Sequence, residues 1–323
     1  MESMKYHIIT FGCQMNKADS ERIAADLERK KYSKASNIKK ADLIVVNMCS
    51  VRQSAVDRVY GLVPKFKKLK AKTILTGCIL KQDRKKFKDK FDEIKKMPQK
   101  SCPSALIPIS NGCNNFCSYC VVPNVRGKLV CRPHQEIIKE VEKAVKAGVK
   151  EIWLLGQNVN DYQSGPVNFA KLLKMVNEVP SSFSIRFMSP HPKNFSDELI
   201  EAMAKSKKVA KFLNLPLQSG DNQILKKMNR PYTAKQYQDL VKKIRQRMPE
   251  INLSTDVIVG FPGETKKQFE NTAKLFKEMK FNIAYISKYS PRSGTTACQM
   301  KDNVPLPEKK RREKVLRNLL KHD

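Results

Sequence analysis

Short apolar runs alternate with stretches of helical period along the whole chain, and the alternation changes length near residue 100. In the first part, strands are predicted at 6–11, 42–47 and 73–76, each followed by an amphipathic segment, near 19–31, 53–70 and 81–90. From about residue 104, strand and helix repeat six times. The strands fall near 105–110, 150–155, 184–188, 211–215, 252–259 and 283–289. The helices fall near 133–147, 167–177, 196–205, 221–228 with 233–248, and 264–279, before a basic terminal helix. Strands separated by helices pair in parallel. The pattern therefore predicts an α/β protein: an N-terminal three-layer α/β domain with a short parallel sheet over residues 1–97, then an open six-stranded (βα)6 partial barrel over 98–323. Such sheets present ligands at the carboxyl ends of their strands.

The cysteines lie at those ends. Cys13 follows Phe11-Gly12, Cys49 follows Asn47-Met48, and Cys78 follows Thr76-Gly77, so one cysteine closes each strand of the first domain. Glycine at positions 12 and 77 is expected to let the backbone approach whatever these cysteines bind. After the first barrel strand, Asn111-Gly112-Cys113-Asn114-Asn115-Phe116-Cys117-Ser118-Tyr119-Cys120 places three cysteines in the spacing CxxxCxxC. Soft thiolates at that separation select zinc, copper(I) or an iron–sulfur cluster. A structural zinc site needs a fourth ligand, and only Cys131 and His134 lie near enough to offer one. A cluster with one open iron is the sharper reading of each triad. Cys102, Cys131 and Cys298 follow no spacing and are read as incidental.

Composition narrows the partners. With 63 Lys plus Arg against 31 Asp plus Glu, the 323 residues carry a net charge of +32, a field that favours polyanions and RNA first. The excess concentrates at Lys81–Lys90 and at Lys309-Lys310-Arg311-Arg312. No apolar run approaches the roughly 20 residues of a membrane span, and the N-terminus does not read as a secretory signal. A cytoplasmic protein without a membrane partner, using cysteine for metal binding before disulfides, is expected.

The CxxxCxxC run with Tyr119 before its third cysteine resembles the signature of radical S-adenosylmethionine enzymes. The resemblance implies that Cys113, Cys117 and Cys120 hold a four-iron, four-sulfur (4Fe-4S) cluster whose open iron chelates S-adenosylmethionine and whose electron cleaves it to a 5′-deoxyadenosyl radical. Over nearly its full length the chain resembles the methylthiotransferases, through Gly12-Cys13-Gln14-Met15-Asn16 and Asn47-Met48-Cys49-Ser50-Val51-Arg52. It is similar to the MiaB-type, tRNA-modifying branch at Cys120-Val121-Val122-Pro123, Arg126-Gly127, Leu155-Gly156-Gln157-Asn158-Val159-Asn160, Arg186-Phe187, Ser189 with His191-Pro192, and Tyr289-Ser290-Pro291-Arg292.

That resemblance implies a second 4Fe-4S cluster at Cys13, Cys49 and Cys78, facing the first across the domain interface. It implies methylthiolation at carbon 2 of isopentenyladenosine in the anticodon stem-loop of tRNA, with threonylcarbamoyladenosine or a ribosomal-protein side chain as the alternatives, and a non-catalytic iron–sulfur RNA-binding protein as a third reading outside the family's activity. One S-adenosylmethionine gives its methyl to a sulfide on the auxiliary cluster, and the radical from a second removes hydrogen from carbon 2. Tyr119, Gly156, Gln157, Asn158, Gln218, Arg230 and Val259 are expected to line the S-adenosylmethionine site, with Arg230 pairing its carboxylate. His191 is a candidate to face the base, Glu264 to cap a helix or serve the site, and Arg292 to touch RNA phosphate. Electrons are expected from a flavodoxin or ferredoxin, the sulfur donor is unspecified, and a monomer is expected. Family members continue into a small β-barrel RNA-binding domain called TRAM. The sequence stops after Leu319-Leu320, so TRAM is expected to be absent and the terminal basic helix to replace part of its role.

Overall fold

A computed structural model of the chain describes residues 4–50, 53–66, 68–95 and 106–320. Five parallel strands, β1 (Lys5–Phe11), β2 (Ser33–Lys34), β3 (Leu43–Cys49), β4 (Lys72–Cys78) and β5 (Glu93–Ile94), form the first sheet in the order β2-β1-β3-β4-β5. All seven residues of β3 are buried, as a central strand covered on both faces requires. Helix α1 (Gln14–Arg29) covers one face, where Ile23 and Leu27 pack on Tyr6, Leu43, Val45 and Ile74. Helices α2 (Gln53–Phe66) and α3 (Lys81–Phe87) cover the other, with Val59, Phe66 and Phe87 against Ile44, Val46, Met48 and Leu75.

The predicted three strands are thus the middle of five. The two missing edges have two residues each, too short to carry a period, and short edges protect a sheet from further pairing. Helix α1 begins at Gln14, earlier than its apolar period suggests, because Cys13 acts as its N-cap and Asn16 closes the capping box. Helix α2 ends at Phe66, two residues after Pro64, and α3 ends at Phe87. Cys102 lies outside the described residues.

The second sheet begins with β6 (Leu106–Pro108). A short antiparallel pair, β7 (Ser110–Asn111) with β8 (Val130–Cys131), brackets the cysteine loop and α4 (Val122–Arg126). The barrel continues through α5 (His134–Lys146) and β9 (Glu151–Leu155), a small hairpin of β10 (Gln163–Ser164) and β11 (Val167–Asn168), α6 (Phe169–Glu178) and β12 (Ser184–Phe187). Then follow α7 (Asp197–Lys205), β13 (Phe212–Asn214), α8 (Asn222–Lys227), α9 (Ala234–Arg247), β14 (Asn252–Val259), α10 (Lys266–Met279), β15 (Ile283–Lys288) and α11 (Leu306–Leu319). Parallel pairing joins β6, β9 and β12, and separately β13, β14 and β15. Ile185 bridges the two halves through Val209, accepting a hydrogen bond from Ala210 and donating one to Lys208 O. The six strands therefore run in chain order around one continuous apolar core, as the periodicity predicts. Among the described residues, no helix is long and apolar enough to cross a membrane.

Helix α1 packs its other side on the barrel. Met15 and Ala18 meet Leu155, with Leu106 and Trp153 beside them. Buried ions accompany this contact: Arg22 lies 3.6 Å from Glu140 of α5, and Glu140 is also 2.8 Å from Arg132.

The terminal helix departs from its reading as a basic surface. Leu316 is fully buried, and two of the four cations at 309–312 face inward. Arg312 pairs with buried Glu264 at 2.7 Å, and Lys309 pairs with Asp302 at 2.6 Å. Glu264 also accepts from Gly260 N, while Thr265 supplies the cap of α10, so Glu264 is a structural counter-ion and not a cap. Glu264→Ala would leave the buried Arg312 guanidinium with only the more exposed Glu308 carboxylate, 2.8 Å from its Nε, at a cost of about 2–3 kcal/mol. Urea denaturation should register that loss, and Glu264→Leu combined with Arg312→Met should restore most of it.

Candidate active site

Strand register assembles the first triad. Cys49 and Cys78 are directly opposed on β3 and β4, and Phe11 pairs with Met48, which brings the turn at Cys13 alongside. Cys49 is within hydrogen-bond reach of both other thiols. Its hydrogen bond raises the pKa of Cys13 and lowers that of Cys78, with the Arg126 cation also favouring the Cys78 thiolate. Beneath them lies a buried amide network. Asn16 donates to Asn47 Oδ1 at 3.0 Å, and Asn47 donates to Asn16 O at 2.8 Å and Ser20 Oγ at 2.9 Å. Gly77 is at φ +109°, and a Cβ there would stand 2.2 Å from Met48 O. Its lack of a side chain permits close approach of neighbouring strands, and at Gly12 the space is taken by the Asn16 side chain. The two glycines therefore serve the protein's own packing.

The second triad sits on a loop held from two sides. Gln157 Oε1, at the end of β9, accepts from Gly112 N at 2.6 Å. From α8, Met228 O accepts from Ser118 N at 3.0 Å and Lys227 O accepts from Ser118 Oγ at 2.8 Å, while Asn229 donates to Phe116 O. Arg230 donates through Nη1 to Cys117 Sγ at 3.7 Å. Burial raises the pKa of Cys113 and takes Cys120 to about 12, which favours the thiol form until a cation or metal meets it. Among the described residues no three His, Cys, Asp or Glu side chains close on a single metal ion. Each triad offers three sulfur donors, the ligand type that iron–sulfur clusters take.

A cavity of about 220 Å³ lies between the domains. Cys13, Cys49 and Cys78 line one wall; Val122, Arg126, Leu155, Gly156, Gln157, Met188 and Ser189 line the other. Nearby, buried polar atoms at the carboxyl ends of successive barrel strands have no hydrogen-bond partner among the described residues. They are Ser110 Oγ, both amide atoms of Asn158, His191 Nε2 and Gln218 Oε1. Each such atom costs about 1–3 kcal/mol unless a ligand or water meets it. A ligand rich in amino, carboxylate and hydroxyl groups would satisfy them together, which fits S-adenosylmethionine.

The remaining candidates divide. Tyr119 packs edge-on to Phe261. Val259 is buried in the barrel core, while its neighbour Ile258 packs beside Tyr119. Arg292 donates to Gln53 Oε1 of α2 at 2.6 Å, tying the last barrel loop to the first domain. Cys131 accepts from Gln163 N and serves the β7–β8 region, and Cys298 is exposed on a single helical turn. Sequence reasoning missed Asn16, Asn47 and Asp19, though the first two stand three residues after Cys13 and two before Cys49.

The profile of the radical SAM superfamily matches residues 107–276, and that of the uncharacterized protein family UPF0004 matches residues 5–97. The chain is 41% identical to the tRNA-2-methylthio-N(6)-dimethylallyladenosine synthase of Clostridium novyi (strain NT), over 93% of this chain and 77% of that protein. It is 39% identical to the enzyme of the same name from Endomicrobium trichonymphae, over 97% and 83%. This chain belongs to the radical S-adenosylmethionine methylthiotransferases. Among solved structures, it is similar to the radical S-adenosylmethionine methyltransferase TsrM from Kitasatospora setae, bound to cobalamin and a 4Fe-4S cluster. The TM-score is 0.67 at 13% identity, over 92% of this chain and 77% of that one. OxsB, a cobalamin-dependent radical enzyme, matches with a TM-score of 0.59 at 10% identity, over 99% and 56%. At such identities the likeness concerns the fold, a small α/β domain preceding a partial barrel.

In this methylthiotransferase His191 is electrically neutral. Burial, then the Arg230 and Lys193 charges, lower its pKa to about 3. Nδ1 accepts from Lys193 N at 3.2 Å, so the ring proton resides on Nε2 as a free donor. Because the folded pKa lies below the unfolded value of about 6.5, this histidine contributes stability that is complete above that value and lost as pH falls towards 3. Between pH 7 and 5 the wild type should lose roughly 1–2 kcal/mol more than His191→Asn. Chemical denaturation at the two pH values measures the difference.

Proposed function

We propose that this protein adds a methylthio group to carbon 2 of N6-dimethylallyladenosine in tRNA. Residues 1–97 act as the domain that presents sulfur and residues 98–323 as the domain that generates the radical. Support comes from the activity of relatives near 40% identity together with one structural observation: the cavity walled by Cys13, Cys49 and Cys78 is closed on its other side by Val122, Arg126 and Gln157, which follow or hold the loop of Cys113, Cys117 and Cys120. Cys13, Cys49 and Cys78 would hold one 4Fe-4S cluster and Cys113, Cys117 and Cys120 the other. When bound, the clusters and S-adenosylmethionine supply the radical and sulfur-transfer chemistry.

The chain's own residues position and enclose that chemistry. Gln157 and the α8 terminus fix the cysteine loop, so its side chains are positioned before the cofactor arrives. Ser110, Asn158, Gln218 and the Nε2–H of His191 orient S-adenosylmethionine or the base through hydrogen bonds that the protein leaves open. Met15, Val122, Leu155 and Met188 wall the cavity with apolar surface and exclude water from the radical. Electrons enter from a flavodoxin- or ferredoxin-type donor.

After anaerobic reconstitution the protein should hold about eight irons, and about four after Cys113, Cys117 and Cys120 are replaced by Ala. Mass spectrometry of nucleosides from tRNA containing dimethylallyladenosine should reveal the 2-methylthio product with wild type alone. Modification only of threonylcarbamoyladenosine, or only of a ribosomal protein, would overturn the substrate assignment.

The fold also refines how tRNA would be held by α11. Residues 306–323 cannot be removed without opening the core at Leu316. The exposed cations Lys310 and Lys314 are the better probes, since they share a groove with Arg317. Lys310→Glu with Lys314→Glu should weaken tRNA binding several-fold and flatten the log–log salt dependence by up to about 0.9 per lost phosphate contact. An unchanged slope would remove this helix from the RNA surface.

A further inference from the structure

Three arginines are buried as whole residues in the described structure: Arg22, Arg230 and Arg312. Two of them meet a carboxylate, Arg22 at Glu140 and Arg312 at Glu264. Arg230 makes no ion pair with a carboxylate among the described residues. Its donors go to neutral groups and one sulfur: Nε to Tyr232 Oη at 3.0 Å, Nη2 to Pro216 O at 3.2 Å, and Nη1 to Cys117 Sγ at 3.7 Å. Its position is tightly fixed. Tyr232 lies at the guanidinium with its ring centroid 5.1 Å away and donates onward to Leu217 O, and Arg230 N itself bonds Leu225 O.

A buried cation without a counter-ion costs several kcal/mol. Among the described residues that cost is accepted at one arginine, against the middle cysteine of the second triad. We propose that Arg230 sets the reduction potential of the cluster held by Cys113, Cys117 and Cys120, by stabilising the added negative charge of its reduced state through Cys117. This inference rests on that triad holding a cluster, and it gives Arg230 a role that is independent of contact with the S-adenosylmethionine carboxylate. Reduction adds one electron to an already anionic assembly. A fixed positive charge and an N–H···S hydrogen bond at a ligand sulfur both favour that form, so they raise the potential. Arg230 is here a positioning and tuning residue, since its atoms reach the ligand sulfur and not the reacting carbon.

The test is a potentiometric titration of the anaerobically reconstituted full-length protein without S-adenosylmethionine. Electron paramagnetic resonance follows the reduced cluster whose signal changes when S-adenosylmethionine is added afterwards. Arg230→Gln should move the midpoint to a more negative value. At a fixed potential near the wild-type midpoint, the reduced-to-oxidised ratio should fall roughly tenfold, which is about 59 mV for one electron. Arg230→Lys retains the charge and should shift the midpoint less. Tyr232→Phe retains the guanidinium and its contact with sulfur, and should leave the midpoint near wild type. If Arg230→Gln loses the cluster, the comparison of Arg230→Lys with Tyr232→Phe still decides, because only the lysine variant alters the N–H···S contact. Equal midpoints in wild type and every arginine variant that holds the cluster would overturn the proposal. Failure of the wild type to assemble a cluster at Cys113, Cys117 and Cys120 would instead overturn the functional reading beneath it.

Discussion

Arg126 leaves the cysteine loop on the short helix α4 and ends between Asn111 and Asp19, donating to Asn111 Oδ1 at 2.8 Å and to Asp19 at 3.1 Å. Its covalent neighbourhood gives that contact its reach. Asn111 stands two residues before Cys113, α4 begins two residues after Cys120, and Asp19 belongs to the helix capped by Cys13. One guanidinium therefore fixes the mutual position of two cysteine triads carried by different sheets. Both partners are largely withdrawn from water, with side chains 8% and 10% exposed, so the bond is strong only while the domains stay docked and costly if they part. The Arg22–Glu140–Arg132 group and the Arg292–Gln53 contact fasten the same interface at its margins.

This mode of docking makes the interior of a very basic protein unusually particular about charge. The net charge of +32 describes the surface, yet the buried cations are individually matched: Arg126 with Asp19, Arg312 with Glu264, Lys309 with Asp302. Removing one partner from such a pair leaves a desolvated charge, so the pairs confer specificity of arrangement more than net stability. Against that background the unmatched guanidinium at Cys117 is informative. The surrounding fold fixes it with a phenol and a carbonyl, groups that orient a cation without neutralising it.

How much of this was legible in the sequence follows from the range of each interaction. Strand positions were, because β3 and β9 carry apolar runs of strand length and β14 ends in Val257-Ile258-Val259. The two triads were, because cysteine after Gly12 and Gly77, and the CxxxCxxC run, are local patterns. The register that opposes Cys49 to Cys78 was not, since the strands carrying them are separated by a whole helix. Nor was the start of α1, where a cysteine replaces the usual hydroxyl or carboxylate cap. Lys309-Lys310-Arg311-Arg312 looked like one basic face, but helical geometry sends Lys309 and Arg312, three residues apart, to the same buried side. Asp19 and Arg126 are 107 residues apart and belong to elements that periodicity treats as independent. Orphaned polar atoms such as His191 Nε2 and Gln218 Oε1 become visible only when the barrel has buried them.

The same side chains join the domains and enclose the chemistry. Met15 and Leu155 belong to the apolar contact between α1 and the barrel, and both also line the cavity beside Cys13, Cys49 and Cys78. Burying large apolar side chains contributes about 1.5–3 kcal/mol each, so tightening the interface and drying the cavity are one event. The arrangement ties reactivity to docking: separation of the domains would wet the cavity, break the Arg126 contact and part the triads in a single step.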